Sequence, residues 1–201
     1  MLLNTSVTPP DKKSRLSWHP ILIFLLPTSL LLLACFMYFS GFAVPQNRTN
    51  QGELLLPPPS LDDLSLSYRG QLFSINDLEG RWAIITFGST DCNSEACQNA
   101  LYQTRQVHTA TGKETQRVIR IFAAQKMPAP SLELMEQHPG ISWLQANPYA
   151  VQQALNISQW PDNRFFIVDP LGNIVMAYGP EHSGGDLLKD LKKLLRISTI
   201  G

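Results

Sequence analysis

Polar positions almost vanish in one early stretch of the chain. From residue 16 to residue 47 there is no Asp, Glu, Lys or Arg, and residues 21–44 are broken only by Pro27, Thr28, Ser29, Ser40 and Gly41. As a helix, such a run would measure about 36 Å, enough to cross a hydrocarbon core of about 30 Å. It is too long for the roughly 7–15 apolar residues of a signal peptide. Trp18, Tyr38 and Phe39 suit the two membrane interfaces. Leu32-Leu33-Ala34-Cys35 loosely matches a lipoprotein signal, but the apolar run continues through Phe39, so Cys35 is read as an apolar side chain. These features predict a transmembrane helix over 21–44.

Beyond it the pattern changes twice. Residues 45–60 carry Pro45 and the run Pro57-Pro58-Pro59, which predicts a stiff extended linker. Residues 61–201 then alternate between short apolar runs and helical periodicity, which predicts one domain. Residues 64–74 alternate around Arg69-Gly70, as in a β-hairpin. Residues 82–87, 118–123 and 165–168 are continuous apolar runs and read as buried strands, Arg120 being the exception. Residues 95–110 repeat apolar side chains at helical spacing. Shorter helices are expected at 131–138 and 148–155, the latter opening on Pro148. Asp169-Pro170-Leu171-Gly172-Asn173 is a turn into a fourth strand at 174–178. Residues 186–196 form an amphipathic helix with Leu187, Leu188, Leu191, Leu194 and Leu195 on one face.

Two strands joined through a helix are expected to be parallel, and two joined by a tight turn antiparallel. The fold class is therefore α/β: a thioredoxin-like mixed sheet with helices on both faces, preceded by one transmembrane helix.

Charge adds an orientation. Lys12, Lys13 and Arg15 precede the span, whereas Arg48 and Glu53 are sparse after it. The positive-inside rule puts residues 1–20 in the cytoplasm as a tail and the domain outside, in the periplasm of a bacterial inner-membrane protein. With 16 Lys+Arg against 16 Asp+Glu, there is no basic excess for nucleic acid. At 44% hydrophobic residues the chain is not disordered, and three cysteines are too few for a disulfide-stapled scaffold.

The candidate chemistry lies in Cys92 and Cys97, between the first central strand and the first long helix. A helix N-terminus stabilises a thiolate, while Asp91 and Glu95 oppose it. Were both cysteines helical, their Cα atoms would lie about 8.6 Å apart and about 140° around the axis. A disulfide needs less than about 7 Å, so bridging requires Cys92 to sit in the preceding loop. Three readings stay open: a redox couple, a soft-metal site for Cu(I), or two unrelated cysteines. Two thiolates leave room for a third ligand, and His108, His138, His182, Met127 and Met135 are the candidates, none supported by a motif. There is no phosphate loop, no H-E-x-x-H and no G-x-S-x-G.

The stretch Phe87-Gly88-Ser89-Thr90-Asp91-Cys92-Asn93-Ser94-Glu95-Ala96-Cys97 resembles the cysteine segment of the Sco family. The similarity extends to Tyr68-Arg69-Gly70-Gln71-Leu72-Phe73-Ser74-Ile75 and to Phe166-Ile167-Val168-Asp169-Pro170-Leu171-Gly172. Sco proteins are membrane-anchored thioredoxin-fold proteins that handle copper for cytochrome c oxidase. Two departures stand out. Four residues separate the cysteines here, against three in Sco. Counting back from Asp169, Pro161 stands where the Sco copper histidine belongs, and Asn163 where the thioredoxin cis-proline belongs.

The chain is also similar to small single-span proteins encoded among cytochrome c oxidase assembly genes in gammaproteobacteria. The residues concerned are Tyr38-Phe39-Ser40-Gly41-Phe42-Ala43-Val44-Pro45, Gly52-Glu53-Leu54-Leu55, Leu101-Tyr102-Gln103-Thr104-Arg105-Gln106-Val107 and Gly112-Lys113-Glu114. The resemblance implies a periplasmic, membrane-anchored protein assisting oxidase assembly, with oxidase subunits or other assembly factors as partners. Cys92 and Cys97 would act in thiol-disulfide exchange, as an oxidoreductase, or in passing Cu(I). The alternative is a non-catalytic assembly factor with a degenerate thioredoxin fold.

Overall fold

The computed structural model describes residues 18–40, 50–198 and 200. The tail bearing Lys12, Lys13 and Arg15, the end of the expected span at 41–44 and the start of the linker at 45–49 lie outside these residues. The N-terminal segment and the domain from residue 49 onward are separate compact units.

The first unit contains helix α1, Trp18–Ser40. Its portion Leu22–Ser40, with mean hydropathy 2.3, is long and apolar enough to cross a membrane. Inside it, Thr28 donates its hydroxyl to the Phe24 carbonyl at 2.8 Å and Ser29 to that of Leu26 at 2.8 Å. The polar groups are thus satisfied within the helix, as a span through lipid requires.

The second unit is built on one eight-stranded sheet. Its strands are β1 (Glu53–Leu54), β2 (Leu66–Tyr68), β3 (Gln71–Leu72), β4 (Trp82–Gly88), β5 (Val118–Ala124), β6 (Ile141–Ala146), β7 (Phe165–Val168) and β8 (Ile174–Tyr178). The order across the sheet is β1-β8-β7-β4-β5-β6-β2-β3. β4 lies parallel to β5, and β5 to β6; β7 is antiparallel to both β4 and β8. The helices are α2 (Glu95–Ala110), α3 (Leu132–Gln137), α4 (Pro148–Leu155) and α5 (Gly184–Ile197).

All seven residues of β4 are buried, which explains its unbroken apolar run. Ala83, Ile85 and Phe87 face a core closed by Leu61, Leu64, Leu78 and Val151 of α4. Trp82 and Ile84 face the other layer, where Ala100 and Val107 of α2 meet Leu187, Leu191 and Leu195 of α5. α2 begins where Ser94 caps it by accepting from the Cys97 amide. α5 begins at a capping box between Ser183 and Asp186. In the hairpin, Arg69 and Gly70 both take positive φ, the geometry of a tight two-residue turn.

Two strands depart from the sequence expectation. β6 was not anticipated; it extends the parallel part of the sheet by one strand and pairs with β2 on its other side. β1 lies in the segment expected to be linker. From Gln51 to Leu61 that segment runs along β8 instead. Leu55 donates its amide to the Val175 carbonyl at 3.1 Å, Ile174 donates to Pro59 at 2.8 Å and Leu61 to Gly172 at 2.7 Å. The proline-rich part thus serves as an irregular edge strand of the domain.

The clamp that holds this segment is polar and buried. Asp190 of α5, 2% exposed, accepts at Oδ2 from the amides of Gln51 (2.7 Å) and Gly52 (2.9 Å) and from the Tyr178 hydroxyl (3.1 Å). His182 Nε2 lies 2.9 Å from the Gln51 carbonyl. A Cβ on Gly52 would meet the Tyr178 ring at 2.5 Å, so only glycine lets the backbone pass here.

Candidate functional site

The β4–α2 loop brings the two cysteines together. Cys92 lies outside the helix with φ 49°, and Cys97 is in the first turn of α2. The left-handed backbone at Cys92 turns the chain back toward the helix, and the Cα atoms stand 5.3 Å apart. Cys92 and Cys97 are joined as a disulfide. This is the arrangement that bridging demands: one cysteine in the loop, the other in the helix.

Both sulfur-bearing residues are sealed. Cys92 is 0% and Cys97 1% exposed, within a cluster formed by Leu101, Phe122, Ala124 and Leu134. Gly88, at the end of β4, completes the wall; a Cβ there would stand 2.8 Å from the Phe122 ring and 3.0 Å from Cys97 Sγ. The β5–α3 segment is tied to the cysteine loop, because the Ala129 amide donates to the Thr90 carbonyl at 2.8 Å. In Pro128-Ala129-Pro130, Ala129 supplies the one backbone N–H.

A cleft of about 280 Å³ opens beside the loop, lined by Gly88, Ser89, Thr90, Gln125, Lys126, Trp160 and Asp162. Neither cysteine forms its walls. Trp160 donates its indole N–H to the Gly88 carbonyl at 3.3 Å and stacks edge-on against Phe87. Partial burial raises the Asp162 carboxyl above its ordinary value.

The other sequence candidates are not gathered here. Asn163 has φ 58° and donates its amide to the Phe87 carbonyl at 2.8 Å, whereas the Trp160–Pro161 bond is trans. His108 lies beside the Val118 carbonyl, 2.8 Å away, toward the far end of α2. His182 is engaged with the edge segment, and His138 lies at the end of α3. Met127 and Met135 have no place in the cluster around the sulfurs. Among the described residues no group of three or more His, Cys, Asp or Glu is arranged to hold a metal.

A family model described as the transmembrane-like, thioredoxin-like C-terminal domain matches residues 82–198, more than half of the chain. The chain belongs to this family. Its sheet and helices have the thioredoxin-like arrangement expected from the element order. Among solved structures, apo Sco1 from Thermus thermophilus aligns at 21% identity with a TM-score of 0.55, over 74% of this chain and 99% of that one. A putative electron transfer protein from Aquifex aeolicus aligns at 17% identity with a TM-score of 0.51, over 70% and 99%. Yeast Sco1 with copper bound aligns at 20% identity with a TM-score of 0.48, over 65% and 87%. No curated protein matches the chain.

The cysteines are legible in the sequence; what covers them is not. The signal for the Thr90–Ala129 tie is the isolated N–H between two prolines. Gly88, one residue after the buried strand run, is where the close approach of Cys97 and Phe122 leaves no room for a side chain.

Proposed function

We propose that this thioredoxin-like protein is a membrane-tethered, extracytoplasmic factor in cytochrome c oxidase assembly that acts by binding a partner, its Cys92–Cys97 disulfide serving as a structural crosslink. The observation that carries this reading is the burial of both sulfurs. Thiol-disulfide exchange needs a thiolate to reach one sulfur, and labile, catalytic disulfides are the exposed or strained ones. The oxidase context rests on the resemblance of the cysteine segment and its flanks to Sco proteins. The membrane tether rests on α1, and its orientation on Lys12, Lys13 and Arg15.

Copper handling fits these residues poorly. It would require both thiols reduced and a further donor, yet Pro161 stands at the histidine position, and among the described residues no histidine or methionine joins the sulfur cluster. A second reading, gated exchange, is favoured by one feature: Cys97 lies at the N-terminus of α2, where the helix dipole would stabilise its thiolate once the segment around Ala129 had moved.

The test is oxidase activity in cells carrying Cys92→Ala/Cys97→Ala at unchanged protein level. Retained activity is expected. Loss of activity without loss of protein would favour exchange.

A further inference from the structure

On the α2 side of the sheet a second polar site lies apart from the cleft. A cavity of about 360 Å³ is lined by Glu95, Gln98, Asn99, Tyr102, Arg105, Leu134, Gln137 and His138. A buried cation, Arg120, is bonded to Pro139, the neighbour of the lining residue His138, without itself being one of the lining residues. Arg120 is 4% exposed and lies in β5 between Val118 and Phe122, which face the same layer. An arginine in a strand interior is costly unless charge and hydrogen bonds are met.

Arg120 Nη2 donates to the Pro139 carbonyl at 2.6 Å, which fixes the guanidinium beside the residue following His138. Its Nη1 is buried with no partner. His138, 4% exposed, likewise has a buried Nδ1 with no partner. Arg105 supplies a second guanidinium at the rim. No carboxylate forms an ion pair with Arg105 or Arg120 among the described residues, and Glu95 is the one acidic residue lining the cavity.

We propose that Arg105, Arg120 and His138 form a binding site for a small oxyanion, a phosphate or a carboxylate. The donors are of the right kind: guanidinium and imidazole N–H groups, with the side-chain amides of Gln98, Asn99 and Gln137 and the Tyr102 hydroxyl around the cavity. Electrostatics agree with the geometry. Burial, followed by the positive charges of Arg120 and Arg105, holds the His138 imidazole below its ordinary value. Burial and the charge of Arg105 likewise lower Arg120. The charges of Arg105 and Arg120 therefore repel one another and disfavour a charge on His138, and an anion bound beside them relieves that repulsion.

Thermal unfolding of the full chain in detergent, followed in inorganic phosphate, in acetate and in sodium chloride of matched ionic strength, tests this. A saturable rise in Tm is expected in phosphate or acetate and not in chloride, since a ligand that binds the folded state stabilises it by mass action. Arg105→Gln, an exposed position that relieves the repulsion on Arg120, should not lower the Tm in chloride and should weaken the anion about tenfold, the equivalent of one charge-assisted hydrogen bond. A saturable shift of the His138 ring resonances with phosphate is the second readout, and Arg120→Gln should abolish it. Equal Tm rises in all three salts, equal anion affinity in Arg105→Gln, or an unmoved His138 resonance would overturn the proposal.

Discussion

The amide of Ala129 donates to the carbonyl of Thr90 at 2.8 Å, so the loop after β5 is fastened to the loop that carries Cys92. The bond joins segments nearly forty residues apart and lies two residues from a sulfur. If it helps keep the disulfide closed, Ala129→Pro should open it, because proline removes the N–H and leaves the rest of a proline-rich segment intact. The loss of one such bond, about 1 kcal/mol, should speed reduction of the disulfide by dithiothreitol roughly fivefold. Quenched alkylation over time measures this.

Removing the crosslink should cost stability. The bond closes a short loop, for which the chain-entropy relation gives about 2 kcal/mol. Truncation of two buried side chains adds to that cost. Cys92→Ala/Cys97→Ala should therefore unfold at lower temperature than the oxidised parent, and the parent plus a strong reductant should show much of the same loss. An unchanged Tm would mean that the bond does not constrain the fold.

A different cluster secures the edge segment. Asp190 holds two backbone amides and the Tyr178 hydroxyl at one carboxylate oxygen. Asp190→Ala strands all three donors, at about 1–3 kcal/mol for each that stays buried. The expected result is detachment of residues 51–55 from β8, read as faster hydrogen exchange at Gln51, Gly52 and Leu55 while β4 and β5 keep their protection.

Stability should fall in mild acid. His138 and His108 are both held below the usual histidine value, chiefly by burial. The unfolded chain takes up these protons near pH 6.5, before the folded one does. The stabilisation they contribute is therefore complete above that pH and lost as the pH falls through the lower folded values. Denaturant melts at pH 7.5 and 5.0 should show the decline, and His138→Gln should reduce it. Tyr178 acts at the other end: burial, with the Asp190 carboxylate beside it, raises its phenol, so stability should fall as the pH rises beyond about 10.

Much of the architecture could be read from the residues because the signals were local. β4 and β7 are buried on both faces and appear as unbroken apolar runs, and β5 as one broken only by Arg120. α2 and α5 carry their own start signals in Ser94 and in Ser183 with Asp186. β6 was hidden because Ser142 and Gln145 interrupt it, and only Leu144 and Ala146 are buried. β1 was hidden because both its side chains are exposed and only backbone pairing holds it. At the site, helix geometry allows the cysteines to bridge only with Cys92 in the loop, which is where it lies. The seal over the sulfurs was not legible, since it comes from Phe122, Leu134 and Ala129, far along the chain from the cysteines.

The most direct test is the rate at which the Cys92–Cys97 bond of the native full-length protein reacts with a thiol reductant, compared with the rate after unfolding in denaturant. A buried crosslink should react at least a hundredfold more slowly in the folded protein, at a rate limited by local opening, as about 3 kcal/mol of opening energy would give. Reduction as fast in the folded protein as in the unfolded one would contradict the account and restore the pair as working chemistry.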